Sequence, residues 1–205
     1  MKRLAILGAS GHGKVVAEIA ELCGWDEVHF YDDAWPNINK NGPWHVLGNT
    51  NDLLKKLSDY DHAFVAIGTN AIRYEKSVFL VSKGFALATL IHPLAIVSSY
   101  SEVSTGSVIM AGAVINPFVK IGIASIINTS ATVDHDCIID HGVHVSPGAN
   151  IAGTVTVGAL SWVGIGACIK QNISIGRQVI VGAGAVVVNN IADGLTIVGT
   201  PAKPI

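Results

Sequence analysis

The sequence predicts a small α/β domain followed by an all-β parallel β-helix, and two patterns carry that reading. Between residues 97 and 187, sixteen consecutive positions spaced six apart hold only Val or Ile, from Val97, Val103 and Ile109 to Ile175, Val181 and Val187. Before them, apolar runs alternate with helix-spaced segments, the beat of a small Rossmann-like parallel sheet. A period of six fits neither the 3.6 of a helix nor the plain alternation of a half-buried strand. It marks a hexapeptide solenoid, in which every six residues supply one short strand and one turn.

The α/β domain is assigned residues 1–92. Leu4 to Leu7 reads as a buried strand, Gly8-Ala9-Ser10-Gly11-His12-Gly13 as a tight turn, and Lys14 to Leu22 as a helix with Val15, Val16, Ile19 and Leu22 on one face. Val28 to Tyr31 is a second strand closing on Asp32-Asp33, and the Asn- and Pro-rich stretch from Ala34 to Pro43 is a loop. Asp52 to Leu57 reads as helix and Ala63 to Ile67 as a third strand ending at Gly68. A helix then runs from about Ala71 to Lys83, and a further strand from Leu87 to Ile91.

The second domain, 93–205, begins at Pro93. The branched residue of each hexad points inward, where β-branched side chains fill a pleated interior well. Neighbouring coils stack at the inter-strand spacing of about 4.8 Å. Two residues before each branched position lies a register of mostly small residues, such as Ala113, Ser125, Ala131, Cys137 and Ala149. One residue after it, turn formers such as Asn116, Gly122, Asp134 and Gly164 recur. After Val187 the beat lapses into a tail, Gly199-Thr200-Pro201-Ala202-Lys203-Pro204.

Composition narrows the function. Half of the residues are hydrophobic and 14% are charged, yet no apolar stretch approaches the ~20 residues needed to cross a bilayer. The basic start Met1-Lys2-Arg3 leads into a strand and a glycine turn, so it is read as fold, not as a targeting segment. A formal charge of −2 without a basic cluster argues against nucleic acid. Cys23, Cys137 and Cys168 lack metal spacing, so no metal is expected, and a cytoplasmic location is.

Glycines between a first strand and a helix let a phosphate approach the backbone, where the helix N-terminus supplies N–H donors. Gly8, Gly11 and Gly13 stand there, but as G-x-x-G-x-G, so a nicotinamide dinucleotide is not implied. A carboxylate pair after the second strand can accept from a ribose hydroxyl or from the ring N–H of uracil or thymine. Two bland readings stay open: a turn packed tightly for its own sake, and a solvated Asp-Asp loop.

A family resemblance gathers these features. The Gly-Ala-Ser-Gly-His-Gly turn, the Asp-Asp pair, the segment Ala66-Ile67-Gly68-x-Asn70-x-x-Arg73, the unbroken hexads, the stretch Asn128 to Cys137 and the closing Gly-Thr-Pro-Ala-Lys occur together. This combination resembles the bacterial nucleotide-amino-sugar N-acetyltransferases of the UDP-N,N′-diacetylbacillosamine type, with sialic acid O-acetyltransferases as close kin. The resemblance implies a left-handed β-helix with three hexads per coil, and acetyl-CoA as co-substrate. It assigns His135 as catalytic base with Asp136 beside it, although bacillosamine-type members carry Glu there and Asp134 is a rival. It carries substrate binding to Ser10, Gly11, His12, Asp32, Asp33 and Gly68, and acetyl-CoA binding to His144, Gly153, Ile165 and Ala183. It further implies a homotrimer with active sites between subunits.

The reaction implied is direct transfer to the 4-amino group of a UDP- or dTDP-linked 4-amino-4,6-dideoxy sugar. An imidazole suits proton removal because its unperturbed pKa is near neutral. Residues 18 apart should stack, which places Gly153 over His135 with open space beside the base, and aligns Ile165, Ala183 and Pro201 in a second column. Three other readings are weighed against this one. They are O-acetylation of a sialic acid, a γ-type carbonic anhydrase using His135, His141 and His144, and a non-catalytic β-helix scaffold.

Overall fold

The computed structural model describes all 205 residues and divides into two compact units, Met1–Leu90 and Ile91–Ile205.

The first unit is built on three parallel strands, β1 (Arg3–Leu7), β2 (Glu27–Tyr31) and a later strand, His62–Val65, in the order β2, β1, His62–Val65. Helix α1 (Gly11–Leu22) follows β1. It starts three residues earlier than the apolar spacing indicates: Ser10 stands at the N-cap position without a side-chain capping bond, and Lys14 N–H already bonds to Ser10 C=O at 3.2 Å. The stretch read as a loop holds a short hairpin, β3 (Lys40–Asn41) with β4 (Trp44–His45), turning at Gly42 with φ +69°. A two-residue strand leaves no alternation to detect. Helix α2 (Thr50–Leu54) is fixed by a capping box between Asn49 and Asp52. The strand His62–Val65, now β5, leads into α3 (Asn70–Ser82). The expected strand from Leu87 reduces to one bridge, in which Ala63 bonds to Ala86 C=O and Ala88 N–H, before Leu90–Ile91. Leu4, Ala5, Ile6, Phe30, Tyr31, Phe64 and Leu53 are buried to within 1%.

The second unit is a three-sided, left-handed parallel β-helix. Sixteen two-residue strands run from Ile96–Val97 to Val186–Val187, and their pairing partners lie 18 residues apart, as in Thr132↔Asn150 and Ile151↔Ile169. Face one carries Ile96, Val114, Thr132, Asn150, Cys168 and Val186 outward; face two carries Ile138 and Thr156; face three carries His144 and Trp162. From Ile109 to Val187 every branched position is 0–2% exposed, and the small register packs beside it. Side chains in that register tie coil to coil: Ser125 Oγ donates to Asp140 C=O at 3.0 Å, and Cys137 Sγ to Ala152 C=O at 3.2 Å.

The corner chemistry differs from the expected turn pattern. From Val103 to Val181 the left-handed residue is the third after the branched position, not the first; Gly112, Gly142 and Gly166 stand there, but so do Asp136 (φ 59°) and Thr154 (φ 60°). The glycines one residue after the branched position serve stacking. A Cβ on Gly158 would come within 2.6 Å of Gly176 C, on the next coil.

Candidate active site

In the α/β unit the glycine turn separates into packing and open positions. Gly8 has φ +113°, and a Cβ on it would meet Ala66 C=O at 2.8 Å; one on Gly13 would meet Phe30 Cε1 at 2.9 Å. Close packing explains both. Gly11 and Gly68 have nothing within 4 Å of an added Cβ and no positive φ, so nothing in the fold requires their small size. Both border free space at the C-terminal end of the sheet, where α1 begins.

A cavity of about 330 Å³ opens there, lined by Gly8, Ser10, Asp32, Asp33, Gly68 and Lys76 among others. The adjacent aspartates do different work. Asp32 accepts from Ala9 N–H at 2.7 Å and Ala34 N–H at 2.9 Å, clamping the glycine turn to the loop after β2. Asp33 accepts from Thr50 N–H at 2.9 Å and from Lys76 Nζ at 2.8 Å. Desolvation works to raise its pKa, but the bonds from Lys76 and Thr50 outweigh that and hold it at about 2. The β3–β4 hairpin braces the turn through Asn41 Nδ2, which donates to Ser10 C=O at 3.0 Å.

His12, in the first turn of α1, is held at about 4, first by burial and then by the Arg73 charge, so it is neutral at physiological pH. Arg73 is fully buried. Its Nη1 donates to Ile67 C=O at 3.0 Å and Gly68 C=O at 2.9 Å, and Nη2 to Asn70 Oδ1 at 2.9 Å. Desolvation lowers its pKa to about 10, which leaves it charged. Arg73 thus fixes the backbone of the loop that carries Gly68. In sequence Arg73 stands within its motif without an evident role, and no motif marks Lys76 or Thr50. Their signal lies in the fold alone, because α2 and α3 bring them to Asp33 from 17 and 43 residues away.

On the β-helix, His135 and Asp136 occupy the edge between faces one and two, after Thr132–Val133 and before Ile138–Ile139. Asp136 Oδ2 lies 2.8 Å from His135 Nδ1, and the imidazole side chain is 56% exposed. Asp134 accepts instead from the His135 backbone N–H at 2.8 Å and from Asn116 Nδ2 at 2.8 Å. Of the two rival carboxylates, Asp136 therefore touches the ring and Asp134 shapes the turn. The hydrogen bond to Asp136, then the charge of Asp134, raises the His135 pKa above its ordinary value.

Gly153 stacks on His135 as the 18-residue register requires, and Thr154 N–H bonds to His135 C=O at 2.9 Å. The space over Gly153 is not empty as expected. A Cβ there would lie 2.6 Å from His135 Cε1, so the imidazole itself fills the gap that glycine leaves.

Ile165 and Ala183 occupy a different edge, between faces three and one, stacked through Gly184 N–H to Ile165 C=O at 2.8 Å. Both are exposed. His144 lies on face three, 8% exposed, with Nε2 3.0 Å from Asn128 Nδ2 and its ring 4.5 Å from that of Trp162. Face one spans the two edges and holds a groove of about 390 Å³ lined by Asn116, Thr132, Asp134, Asn150 and Cys168. His141 stands on the third edge, its Nδ1 accepting from Ile123 N–H at 3.0 Å. No group of three His, Cys, Asp or Glu side chains is arranged to hold a metal, and no helix is long and apolar enough to cross a membrane.

Comparison with known proteins places both units. Residues 3–77 match the PglD N-terminal domain family. UDP-N-acetylbacillosamine N-acetyltransferase of Bacillus subtilis (strain 168) is 37% identical over 114 residues, 54% of this chain and 52% of that protein, so the match spans about half of that relative. GDP-perosamine N-acetyltransferase of Escherichia coli O157:H7 is 31% identical over 177 residues, 83% of this chain and 79% of that protein. Among solved structures, the acetyltransferase domain of PglB from Neisseria gonorrhoeae FA1090, in complex with acetyl coenzyme A, superposes with a TM-score of 0.96 at 44% identity. That match covers 100% of this chain and 99% of that one.

Proposed function

The chain belongs to the bacterial nucleotide-amino-sugar N-acetyltransferases, and from that premise we propose that it transfers acetyl from acetyl-CoA to the 4-amino group of a nucleotide-linked 4-amino-4,6-dideoxy sugar, with His135 as general base. The observation that carries this is the contact between His135 Nδ1 and Asp136 at 2.8 Å. A carboxylate on one nitrogen fixes the tautomer and leaves Nε2 to take a proton.

In the proposed step the amine nitrogen attacks the thioester carbonyl carbon, and its proton passes to His135 Nε2. The C–S bond of the tetrahedral intermediate breaks, and the departing sulfur takes the proton from the imidazolium. Transfer is direct, without an acyl-enzyme. Asp136 orients the ring and stabilises its charged form.

The nucleotide end is assigned to the α/β unit, with Gly11 and Gly68 leaving room for the diphosphate and ribose, and Ser10, His12, Asp32 and Asp33 around them. Uracil or thymine is the base inferred from the residues, and the guanine nucleotide in the name of the Escherichia relative extends the range to be tested.

For acetyl-CoA we assign His144, Gly153, Ile165 and Ala183. Ile165 and Ala183 stand on another edge of the β-helix from His135, so one chain does not bring the full set together. A homotrimer resolves this. With face one turned toward a three-fold axis, the His135 edge of one copy meets the Ile165 edge of the next. A location in the cytoplasm, where acetyl-CoA is supplied, belongs to the same proposal. A sialic acid hydroxyl remains the rival acceptor, but no feature of the structure favours it.

The test is an acetyl-transfer assay with UDP-, dTDP- and GDP-linked 4-amino-6-deoxy sugars and with sialic acid, run beside a measurement of mass in solution. Turnover of one nucleotide sugar by a trimer supports the proposal. Turnover of sialic acid alone, or a fully active monomer, contradicts it.

A further inference from the structure

The edge of the β-helix that carries His135 changes character along its length. At the corner position of Asp136, the next two coils place Thr154 and Asn172, and the two preceding coils place Phe118 and Tyr100. Asp136 N–H donates to Pro117 C=O at 3.2 Å, so Pro117 and Phe118 stand one coil, about 4.8 Å, from His135 and Asp136. The two rings form one surface. Their centroids are 5.8 Å apart with the planes tilted by 38°, and Tyr100 and Phe118 are 70% and 60% exposed. The fold requires neither ring. Phe118 has φ 64°, at a corner that Gly112, Gly142 and Gly166 fill elsewhere without the steric cost of a Cβ, and neither aromatic side chain packs into the core.

We propose that Phe118, backed by Tyr100, is the surface on which the apolar edge of the acceptor sugar lies while its amine meets His135, and that it selects a methyl over a hydroxymethyl group at C5. The inference rests on the reading of His135 as the base for a nucleotide-linked 4-amino sugar. In such a sugar C4 bears the nucleophilic nitrogen and the adjoining C5 bears the methyl group. An amine held at the imidazole therefore keeps that methyl within a few ångström, whatever the tilt of the ring. On this edge the apolar surface within that reach is Pro117 and Phe118. The coil on the other side offers Gly153, which the imidazole covers, and the exposed Thr154. A methyl group laid on an aromatic ring leaves water at a gain. A hydroxymethyl group there loses water and finds no partner, because a phenyl ring carries no conventional donor or acceptor. A ledge open on one side discriminates less than a closed pocket, whose limit for one added hydroxyl is about a hundredfold.

The test compares kcat/KM for a nucleotide-linked 4-amino-4,6-dideoxyhexose and for its 4-amino-4-deoxy counterpart, which carries CH2OH in place of CH3, on UDP, dTDP and GDP. It uses the full-length protein and its Phe118→Ala and Phe118→Tyr variants, with the KM for acetyl-CoA and the mass in solution measured alongside. Phe118 is exposed and alanine keeps its Cβ, so the substitution leaves folding intact. Wild type should prefer the 6-deoxy sugar by about tenfold or more. In Phe118→Ala that preference should fall to within a few fold through loss on the 6-deoxy sugar alone, with the acetyl-CoA KM and the mass unchanged. Phe118→Tyr, which keeps the ring, should retain it. An unchanged preference in Phe118→Ala overturns the proposal, as does an equal loss on both sugars. A raised acetyl-CoA KM would make the ring a thioester contact and a lower mass would make it a subunit contact, and either result overturns it too. If wild type acetylates amino sugars without this preference, the inference fails alone. If it acetylates none, the reading of the enzyme fails, and this inference with it.

Discussion

Gly153 lies one coil from His135 with its α-carbon against the imidazole, so closely that a methyl group there would approach Cε1 to 2.6 Å and Nε2 to 2.7 Å. The absent side chain lets the ring lie against the next coil while Asp136 holds Nδ1. Glycine at 153 is therefore a determinant of where the proposed base points. The backbone does not require it, since its φ lies outside the left-handed region.

Gly153→Ala should accordingly leave the fold intact and displace the ring. Misplacing a catalytic group by about 1 Å can cost about a hundredfold in rate. The expected outcome is a fall in kcat of that order with a melting temperature close to wild type. Adding Gly153→Ala to His135→Ala should cost almost nothing more, which steady-state kinetics on the double variant will check.

Asp136 combines a functional carboxylate with a left-handed backbone, φ 59°, at a corner where Gly142 and Gly166 stand elsewhere. Asp136→Gly should be no less stable than wild type, within about 1 kcal/mol, because glycine adopts that conformation without a Cβ penalty. Its activity should still drop. Asp136→Asn keeps the backbone and replaces the carboxylate whose hydrogen bond contributes most to raising the His135 pKa with a weaker, neutral acceptor. Since a general base works unprotonated, the acid limb of the pH–rate profile should then move to lower pH. A limb that stays in place excludes Asp136 as the partner that tunes the base.

His12 gives the α/β unit a pH signature. Its folded pKa, about 4, lies below the unfolded value of 6.5, so below 6.5 the unfolded chain takes up a proton that the native state does not. Stability should therefore decline as pH falls from 6.5 toward 4 and level off below that. This one group accounts for about 3 kcal/mol. Denaturant melts across that range should show the decline in wild type and a smaller one in His12→Gln.

The solenoid was legible because a strict six-residue period of branched residues has one efficient burial, stacking coil on coil, and nothing within residues 97–187 competes with it. The three-dimensional register followed, including Gly153 over His135. What the imidazole does with the space over Gly153 did not follow, because a side-chain rotamer leaves no trace in a repeat. Nor did the left-handed corner position, since residues as unlike as Asp136, Thr154 and Leu160 adopt it under the constraint of the coil. In the α/β unit the turn and the Asp-Asp pair were readable. The division between Asp32, which braces the turn, and Asp33, which meets Lys76, was not, because it depends on partners far along the chain. The glycines Gly8, Gly11 and Gly13 look alike in sequence, and only packing separates Gly11 from the other two.

The central claim is that His135 removes the proton during acetyl transfer. Its most direct measurement is the single-turnover rate of His135→Ala, with nucleotide-sugar and acetyl-CoA affinities determined on the same protein. The account predicts a loss of about a hundredfold to ten-thousandfold in the chemical step with both affinities near wild type. A rate within a few fold of wild type would contradict it.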